Sequence, residues 1–427
     1  MALPSATYLH PDRRDPQSHF GERVPSYDEA RKMILERVTP LGSELVPALD
    51  AIGRVLAEDF AAPWEFPAWD NSAMDGFAIR AADAKAPVTL RLSAYIPAGS
   101  AGSEPLAPGT AAKILTGAPL PVGADAIVPF EEAEEREGAV SIAAPVRSGA
   151  HVRRRGEDIR AGEGILPAGT ILGPPDVSLL ASCSRLSVPV YRRPRVAVLS
   201  TGDELVEPGE ALGPGKIYNS NALALAAAVK QAGAEPTLLA IARDDRQSLR
   251  TLLAEGLRAD ALVTSAGVSM GDRDLVRQVL DELEVRQVFW KIDIKPGRPT
   301  AFAMRGATPV FSLPGNPVSS LLTFEQFVRP ALLRMMGHRK VFRPLVAATF
   351  QDEFPRKPGR VSFVRVRLER RGSELLAWSA GKQDTGILKT MIQADGIAVI
   401  PAERGDLRPG SAVDVQVLRS GFDMCEA

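Results

Sequence analysis

From residue 194 to about 342 the chain alternates short apolar runs with amphipathic stretches, and this alternation constrains its fold most strongly. The runs RVAVLS, TLLAIA, ALVTS, QVFWKI, TAFAM and PVFSL have the length and composition of buried strands. Between them, NALALAAAVKQAG, DRQSLRTLLAEGL, DLVRQVLDEL and NPVSSLLTFEQFVRPALL have helical spacing. Asn221 is the expected cap of the first of these helices and Gly233 its stop, while Pro317 opens the last. Alternating strands and helices predict a doubly wound α/β domain. In such a sheet ligands sit beyond the carboxyl ends of the strands, so the loops there are where chemistry is expected.

A chain of 427 residues exceeds one compact core and calls for several domains. The stretch SYDE predicts a helix capped by Ser26 with Glu29 closing a capping box. From about 60 to 160, Pro and Gly recur between short runs such as AAKIL and ADAIVPF, the texture of a mostly β domain. The acidic run EEAEERE reads as a solvated turn or edge. PPDVSLLASC returns to helical content, and SFVRVRLER, IAVIP and SAVDVQVL predict a small all-β domain at the end. The expected division is a multi-domain α/β plus β chain. Residues 22–60 and 161–193 form a discontinuous linker or dimerisation domain, 61–160 an inserted β domain, 194–342 the α/β domain and 343–427 the last β domain. The first twenty residues read as a poorly ordered lead-in.

Composition removes several function classes. Lys plus Arg number 51 against 52 for Asp plus Glu, without the basic excess of a general nucleic-acid binder. Cys183 and Cys425 lie far apart, which argues against a disulfide framework or a zinc site. No apolar run has membrane length, and a cytoplasmic protein is expected. There is no GxGxxG, and Lys216 is followed by Ile217 rather than the Ser or Thr of a P-loop. The four histidines, His10, His19, His151 and His338, fall outside the strand-end loops, so catalysis there rests on electrostatics, metal and positioning.

The loops themselves carry opposite charges. STGDEL places Asp203 and Glu204 after the first strand, and RDD places Asp244 and Asp245 after the second. SAGVSMGDRD follows the third, KIDIKPGRP brings Lys291, Lys295 and Arg298 after the fourth, and LPGNP follows the last. Each alone reads better as a surface turn or a helix start. Their convergence on one crevice points instead to a phosphate ester with a divalent ion. Mg²⁺ takes one or two carboxylates with waters and phosphate oxygens, while lysines and bare backbone N–H groups neutralise phosphate. Outside this unit, WDNSAMDGFAIR offers Asp70, Ser72 and Asp75, KILTGAPLP offers Thr116, and RRRGEDIRAG offers Asp158. Spacing leaves these open as polar turns, and the three arginines as a solvated face.

The ordered set DNSAMDGFA, LTGAPLPVGADAIV, RRRGEDI, STGDEL, IYNSN, SAGVSMGDRD, KIDIKPGRP and LPGNPVS resembles the molybdopterin molybdotransferases, relatives of the C-terminal domain of gephyrin. The resemblance runs from about residue 22 to the end. It implies a helical and extended linker, an inserted β domain, an α/β domain that binds molybdopterin and a C-terminal β-barrel. It also implies a homodimer with each active site between the α/β domain of one subunit and the β domain of the other. The implied reaction inserts molybdate into adenylylated molybdopterin with Mg²⁺-dependent cleavage of the adenylyl group, releasing AMP and molybdenum cofactor. Implied partners are molybdopterin adenylyltransferase and enzymes that receive the cofactor.

The resemblance points to Asp75, Thr116, Glu204, Asp244, Asp274, Lys291 and Lys295 as catalytic, with Glu204, Asp244 and Asp274 on Mg²⁺ or its waters. Substrate contacts are implied for Ser72, Asp158, Ser265, Gly267, Ser269, Gly271, Arg298, Pro314, Gly315, Asn316 and Ser319. Lys295, Pro296, Arg365 and Thr385 form an implied oxyanion pocket. Two positions depart from the family pattern. Ala266 stands where glycine is usual, which strains the chain if φ is positive there, and Thr385 stands where serine is common. An adenylyltransferase would lack the inserted β domain and DNSAMDG. A gephyrin-like scaffold would not require the strand-end carboxylates and lysines.

Overall fold

The computed structural model describes residues 24–85, 87–101, 104–267 and 273–418, with Arg273 and Asp274 described as backbone alone. The expected lead-in lies outside them. The chain forms two compact units, one of residues up to Gly42 together with those from Tyr191 onward, the other Ser43–Val190.

The first unit opens with helix α1 (Tyr27–Leu35). Its capping box forms as the sequence predicts: Glu29 N–H donates to Ser26 Oγ, and Ser26 N–H donates to the Glu29 carboxylate at 2.9 Å. Tyr27, Ala30 and Ile34 turn one buried face into the α/β core. The sheet consists of β1 (Arg195–Ser200), β2 (Glu235–Leu238), β3 (Ala261–Ser265), β4 (Arg286–Phe289), β5 (Ala301–Arg305) and β6 (Thr308–Leu313), in the order β2-β1-β3-β6-β5-β4. Between the strands run α2 (Ser220–Gln231), α3 (Arg246–Gly256) and α4 (Arg273–Glu282), and α5 (Pro317–Thr323) follows β6. Alternate strand residues face opposite ways. Val196, Val198 and Val263 pack with Leu225 and Val229 of α2, whereas Ala197, Leu199 and Leu262 pack with Leu249, Leu253 and Val279 of α3 and α4. Both faces are therefore covered, which requires nearly continuous apolar strands.

The sheet is mixed rather than wholly parallel. β2, β1, β3 and β6 run parallel, but β5 is antiparallel to both β6 and β4. The reason is local: only Gly306 and Ala307 separate β5 from β6, and a parallel pair needs a long crossover. Gly306 takes φ +57° in this turn. The two reversals cancel at β4, which points the same way as β1. The loops after β1, β2, β3, β4 and β6 consequently open at one edge of the sheet.

After residue 343 comes a closed barrel of five strands, β7 (Leu345–Phe350), β8 (Val361–Arg371), β9 (Glu374–Ser379), β10 (Gly396–Ile400) and β11 (Ser411–Val417). The ring runs β8-β9-β7-β11-β10 and closes by pairing β10 with β8. Phe350, Val364, Val366, Ala398 and Val415 fill it. The short strand Ile294–Lys295 lies beside β8, with Lys295 opposite Ser362.

The second unit contains a six-stranded sheet in the order Ala126–Pro129, Gly76–Ile79, Thr110–Ile114, Val88–Ile96, Ala139–Ile142 and Ala133–Arg136. The acidic run supplies its edge strand. Gly76 is required where two strands close up, because a Cβ there would stand 2.1 Å from the Val128 carbonyl oxygen. The expected helix forms at Pro174–Ser182. Among the described residues no helix is long and apolar enough to cross a membrane.

Candidate functional site

At the carboxyl edge of the α/β sheet lies a cavity of about 510 Å³. Its wall takes Ser200 from the end of β1, Glu204 and Tyr218 from the following loop, and Ser220 and Asn221 from the start of α2. Ser265, Ala266 and Gly267 come from the end of β3, and Pro314, Gly315 and Asn316 from the turn after β6. Five of the expected substrate contacts, Ser265, Gly267, Pro314, Gly315 and Asn316, thus share one wall with Glu204.

The loop after β3 starts in strain. Ala266 has φ +72°, a left-handed conformation that glycine adopts freely and alanine does not. The usual glycine therefore answers a backbone demand at this position, not only a demand for smallness. Gly267 follows at φ +71°, where a Cβ would meet Val276 at 2.9 Å. Ser269 and Gly271 lie outside the described residues, as does the side chain of Asp274, whose backbone lies in the first turn of α4.

The acidic loops brace one another. Asp203 N–H donates to Asp244 Oδ2 at 3.2 Å, and Asp244 N–H donates to Asp203 Oδ1 at 3.3 Å. The Glu204 carboxylate folds back over Gly202, where a Cβ would stand 2.3 Å from Oε2; Gly202 has φ +139°. Asp203 and Asp244 are exposed, and Asp245 instead caps α3 by accepting from Ser248 N–H at 2.8 Å. Among the described residues no three His, Cys, Asp or Glu side chains gather as a metal-holding group. Carboxylates of this kind nevertheless have the oxygen chemistry that Mg²⁺ takes, with waters and phosphate completing its shell.

Lys291 is half-buried, and Lys295 and Arg298 are exposed in the loop after β4, with Pro296 between them half-buried. Lys295 sits beside the barrel strand that carries Arg365. Arg365 is fully buried, and its Nη2 donates to the carbonyl oxygens of Lys382 and Asp384. Its Nε and Nη1 meet no hydrogen-bond partner among the described residues. Burial pushes the guanidinium down to about 10, partly offset by Asp384, so it stays a cation at neutral pH. A buried cation with two idle donors fits an oxyanion. One residue beyond Asp384, Thr385 Oγ1 accepts from Asn316 Nδ2 at 3.2 Å, which ties the barrel loop to the turn after β6. Asn316 occupies the N-cap position expected of it, but its side chain makes no capping bond. Ser319 is buried in α5 and does not reach the cavity wall.

In the second unit the structure joins Asp75 to Thr116. Both Thr116 N–H and Oγ1–H donate to Asp75 Oδ1 at 2.7 Å. These two bonds hold the exposed Asp75 carboxyl below its usual range. Ser72 is buried, and its hydroxyl donates to the Met74 carbonyl, closing the turn that presents Asp75. Asp158 is exposed. Two arginines of the run are paired with carboxylates: Arg154 bridges Asp70 at 2.7 Å and Arg155 bridges Glu65 at 2.8 Å.

Asn219 and Ser200 on the cavity wall went unread in the sequence, and Asn221 was read there only as a cap. Asn219, not Asn221, caps α2, its Oδ1 accepting from Ala222 N–H. Asn221 instead donates to Ser265 Oγ at 2.9 Å and to the Gly315 carbonyl at 2.7 Å. Ser200 is buried with a hydroxyl that has no partner among the described residues. For the asparagines, two of them two residues apart where a helix starts were the available signal.

Known proteins match over nearly the whole chain. Residues 25–184 match the MoeA N-terminal region (domain I and II), 197–334 the probable molybdopterin binding domain, and 347–418 the MoeA C-terminal region (domain IV). The molybdopterin molybdenumtransferase 2 of Mycobacterium tuberculosis is 37% identical over 401 residues, covering 91% of this chain and 98% of its own. The molybdopterin molybdenumtransferase of Nostoc sp. is 37% identical over 411 residues, covering 93% and 94%. A crystal structure of the molybdopterin biosynthesis MoeA protein from Pyrococcus horikoshii superposes with a TM-score of 0.82 at 35% identity, covering 92% of this chain and 99% of that one. With its two sheet units, its five-stranded barrel and its strand-end cavity, the chain belongs to the molybdopterin molybdenumtransferase (MoeA) family.

Proposed function

We propose that this protein is a molybdopterin molybdotransferase, a transferase of molybdenum cofactor biosynthesis. It inserts molybdate into adenylylated molybdopterin and releases AMP and the molybdenum cofactor. The cavity at the carboxyl edge of the sheet carries this reading, because it gathers the loops after β1, β3 and β6, with Glu204 and bare backbone, around one space. Ser265, Gly267, Gly315 and Asn316, with Ser269 and Gly271 of the same loop, line the pterin or phosphate. Pro314 on the same wall joins these substrate contacts, and Ser319, buried in α5, supports the turn from behind. Lys291, Lys295 and Arg298 face the phosphates, and Arg365, Thr385 and Pro296 with Lys295 receive molybdate as an oxyanion substrate. Each charge-assisted hydrogen bond contributes about 1.5–3 kcal/mol, so a few aligned donors suffice to hold such an ion.

Glu204, Asp244 and Asp274 would hold Mg²⁺ directly or through its waters, where it supplies neutralisation of phosphate charge. Asp75, kept anionic by Thr116, and Asp158 belong to the second unit. We assign them to the active site of a second subunit, so that a homodimer completes each site. The apolar side chains Leu45, Leu49 and Leu186, 68%, 76% and 75% exposed, support a protein contact there. The reading places the enzyme in the cytoplasm, between an adenylyltransferase that supplies its substrate and enzymes that take up its product.

The deciding experiment supplies adenylylated molybdopterin, Mg²⁺ and molybdate and follows AMP release with cofactor formation. AMP release that depends on molybdate and stops on chelation of Mg²⁺ is expected. Asp274→Ala is expected to abolish turnover while the far-ultraviolet circular dichroism stays unchanged. AMP release indifferent to molybdate would sink the assignment.

A further inference from the structure

We propose that Asn221 is a positioning residue, which fixes the Ser265 hydroxyl as a hydrogen-bond donor to an anionic oxygen of the ligand in the strand-end cavity. The inference rests on the reading of that cavity as the site of an adenylylated pterin.

The direction of the bonds follows from elementary donor chemistry. A backbone carbonyl only accepts, so the atom of Asn221 that lies 2.7 Å from the Gly315 oxygen must be the amide nitrogen. The second hydrogen of that nitrogen reaches Ser265 Oγ at 2.9 Å. Ser265 is thereby the acceptor in this bond, and its own proton is left to donate. Ser265 is the last residue of β3, 1% exposed, and lines the cavity. Among the described residues nothing accepts its proton. A buried donor without an acceptor is unfavourable, and a ligand oxygen relieves it.

The surroundings select an anionic oxygen. Ser200 pairs with Ser265 across β1 and β3, is 2% exposed, and offers a second hydroxyl on the same wall, one with no partner among the described residues. The first turn of the twelve-residue helix α2 contributes Ser220 and Asn221 to that wall, and a helix start carries a partial positive charge. Two hydroxyl donors beside a helix start favour phosphate over a neutral or cationic group. Asn221 thus joins three loops, after β1, β3 and β6, and orients the donor at their meeting point.

The test is a double-mutant cycle on the full chain, with AMP as the probe and affinity read by calorimetry. Asn221→Ala and Ser265→Ala are each expected to weaken AMP binding by about tenfold, the effect of one charge-assisted hydrogen bond. Because Asn221 acts through Ser265, the double variant is expected to bind no more than about twofold more weakly than Ser265→Ala alone. A clamp that merely holds the loops would act again in the Ser265→Ala background, so a loss of about a hundredfold in the double variant overturns the proposal. If Asn221→Ala does not fold, Asn221→Asp keeps its shape. Its carboxylate accepts the hydrogen bond from the Ser265 hydroxyl, which removes that donor from the ligand, and AMP should bind at least about tenfold more weakly. Wild-type affinity in either variant overturns the proposal, as does wild-type protein that fails to bind AMP. Coupling without molybdate-dependent AMP release supports the positioning and overturns the reaction assigned above. Turnover without coupling does the reverse.

Discussion

Ala266 is the position where this chain departs most sharply from what its backbone asks. A left-handed conformation costs a non-glycine residue about 1–2 kcal/mol, and Ala266 holds φ +72°. Its methyl has room because Gly315 opposite is bare; a Cβ on Gly315 would stand 3.3 Å from it. Ala266→Gly is expected to stabilise the protein by about 1 kcal/mol, after allowing for the greater freedom of glycine in the unfolded chain. Urea unfolding checks this, and a lower midpoint with unchanged slope would contradict it. The types of the site residues were legible in the sequence, since carboxylates, lysines and bare glycines stood in strand-end loops. Their pairings were not. Asp75 and Thr116 are 41 residues apart, and only the fold brings one onto the other.

The helices and strands were largely legible because each is written in local chemistry. The Ser26 capping box and the apolar strand runs need no distant partner to be recognised. The start of α2 shows the limit. Asn219 and Asn221 are equally good caps by composition, and the register of the first turn decides between them. With Asn219 at the cap, Asn221 falls on the turn that faces Ser265 and Gly315. The two asparagines therefore separate experimentally. Asn219→Ala removes a cap and is expected to cost about 1 kcal/mol in thermal or urea unfolding. A stability equal to wild type would show that the cap carries no weight. The mixed sheet illustrates the same limit, since TAFAM and PVFSL read only as two further strands, with no direction assigned to either. Only four residues, Arg305 to Thr308, separate the two runs, too few for the crossover a parallel pair needs, so the sequence already held the reversal.

At the level of the molecule, the proposed dimer gives the exposed leucines of the second unit a role. Leu49 follows the strand Ser43–Pro47, and Leu186 precedes its partner Ser187–Tyr191; the Ala48 N–H donates to the Leu186 carbonyl at 2.9 Å. The side chains therefore stand on adjoining backbone. Leu49→Lys with Leu186→Lys is expected to convert a dimer to monomers in sedimentation velocity and to abolish AMP release with it. A double variant that stays dimeric would move the interface elsewhere. The dependence of turnover on assembly is what a site completed by a second subunit requires.

The sequence by itself determined the α/β alternation, the succession of β, α/β and β regions and the ordered motifs, because periodicity, capping and turn chemistry act over a few residues. It also determined which charges stand at the strand ends. Only the tertiary structure decided that the β5–β6 reversal is compensated at β4, so that five loops still open at one edge. It alone set Ala266 in the left-handed region, joined Asp75 to Thr116, left Arg365 buried with idle donors and turned Asn221 from a cap into a bridge. Those outcomes depend on where distant segments meet, and contacts across tens of residues leave no period in the chain to be read.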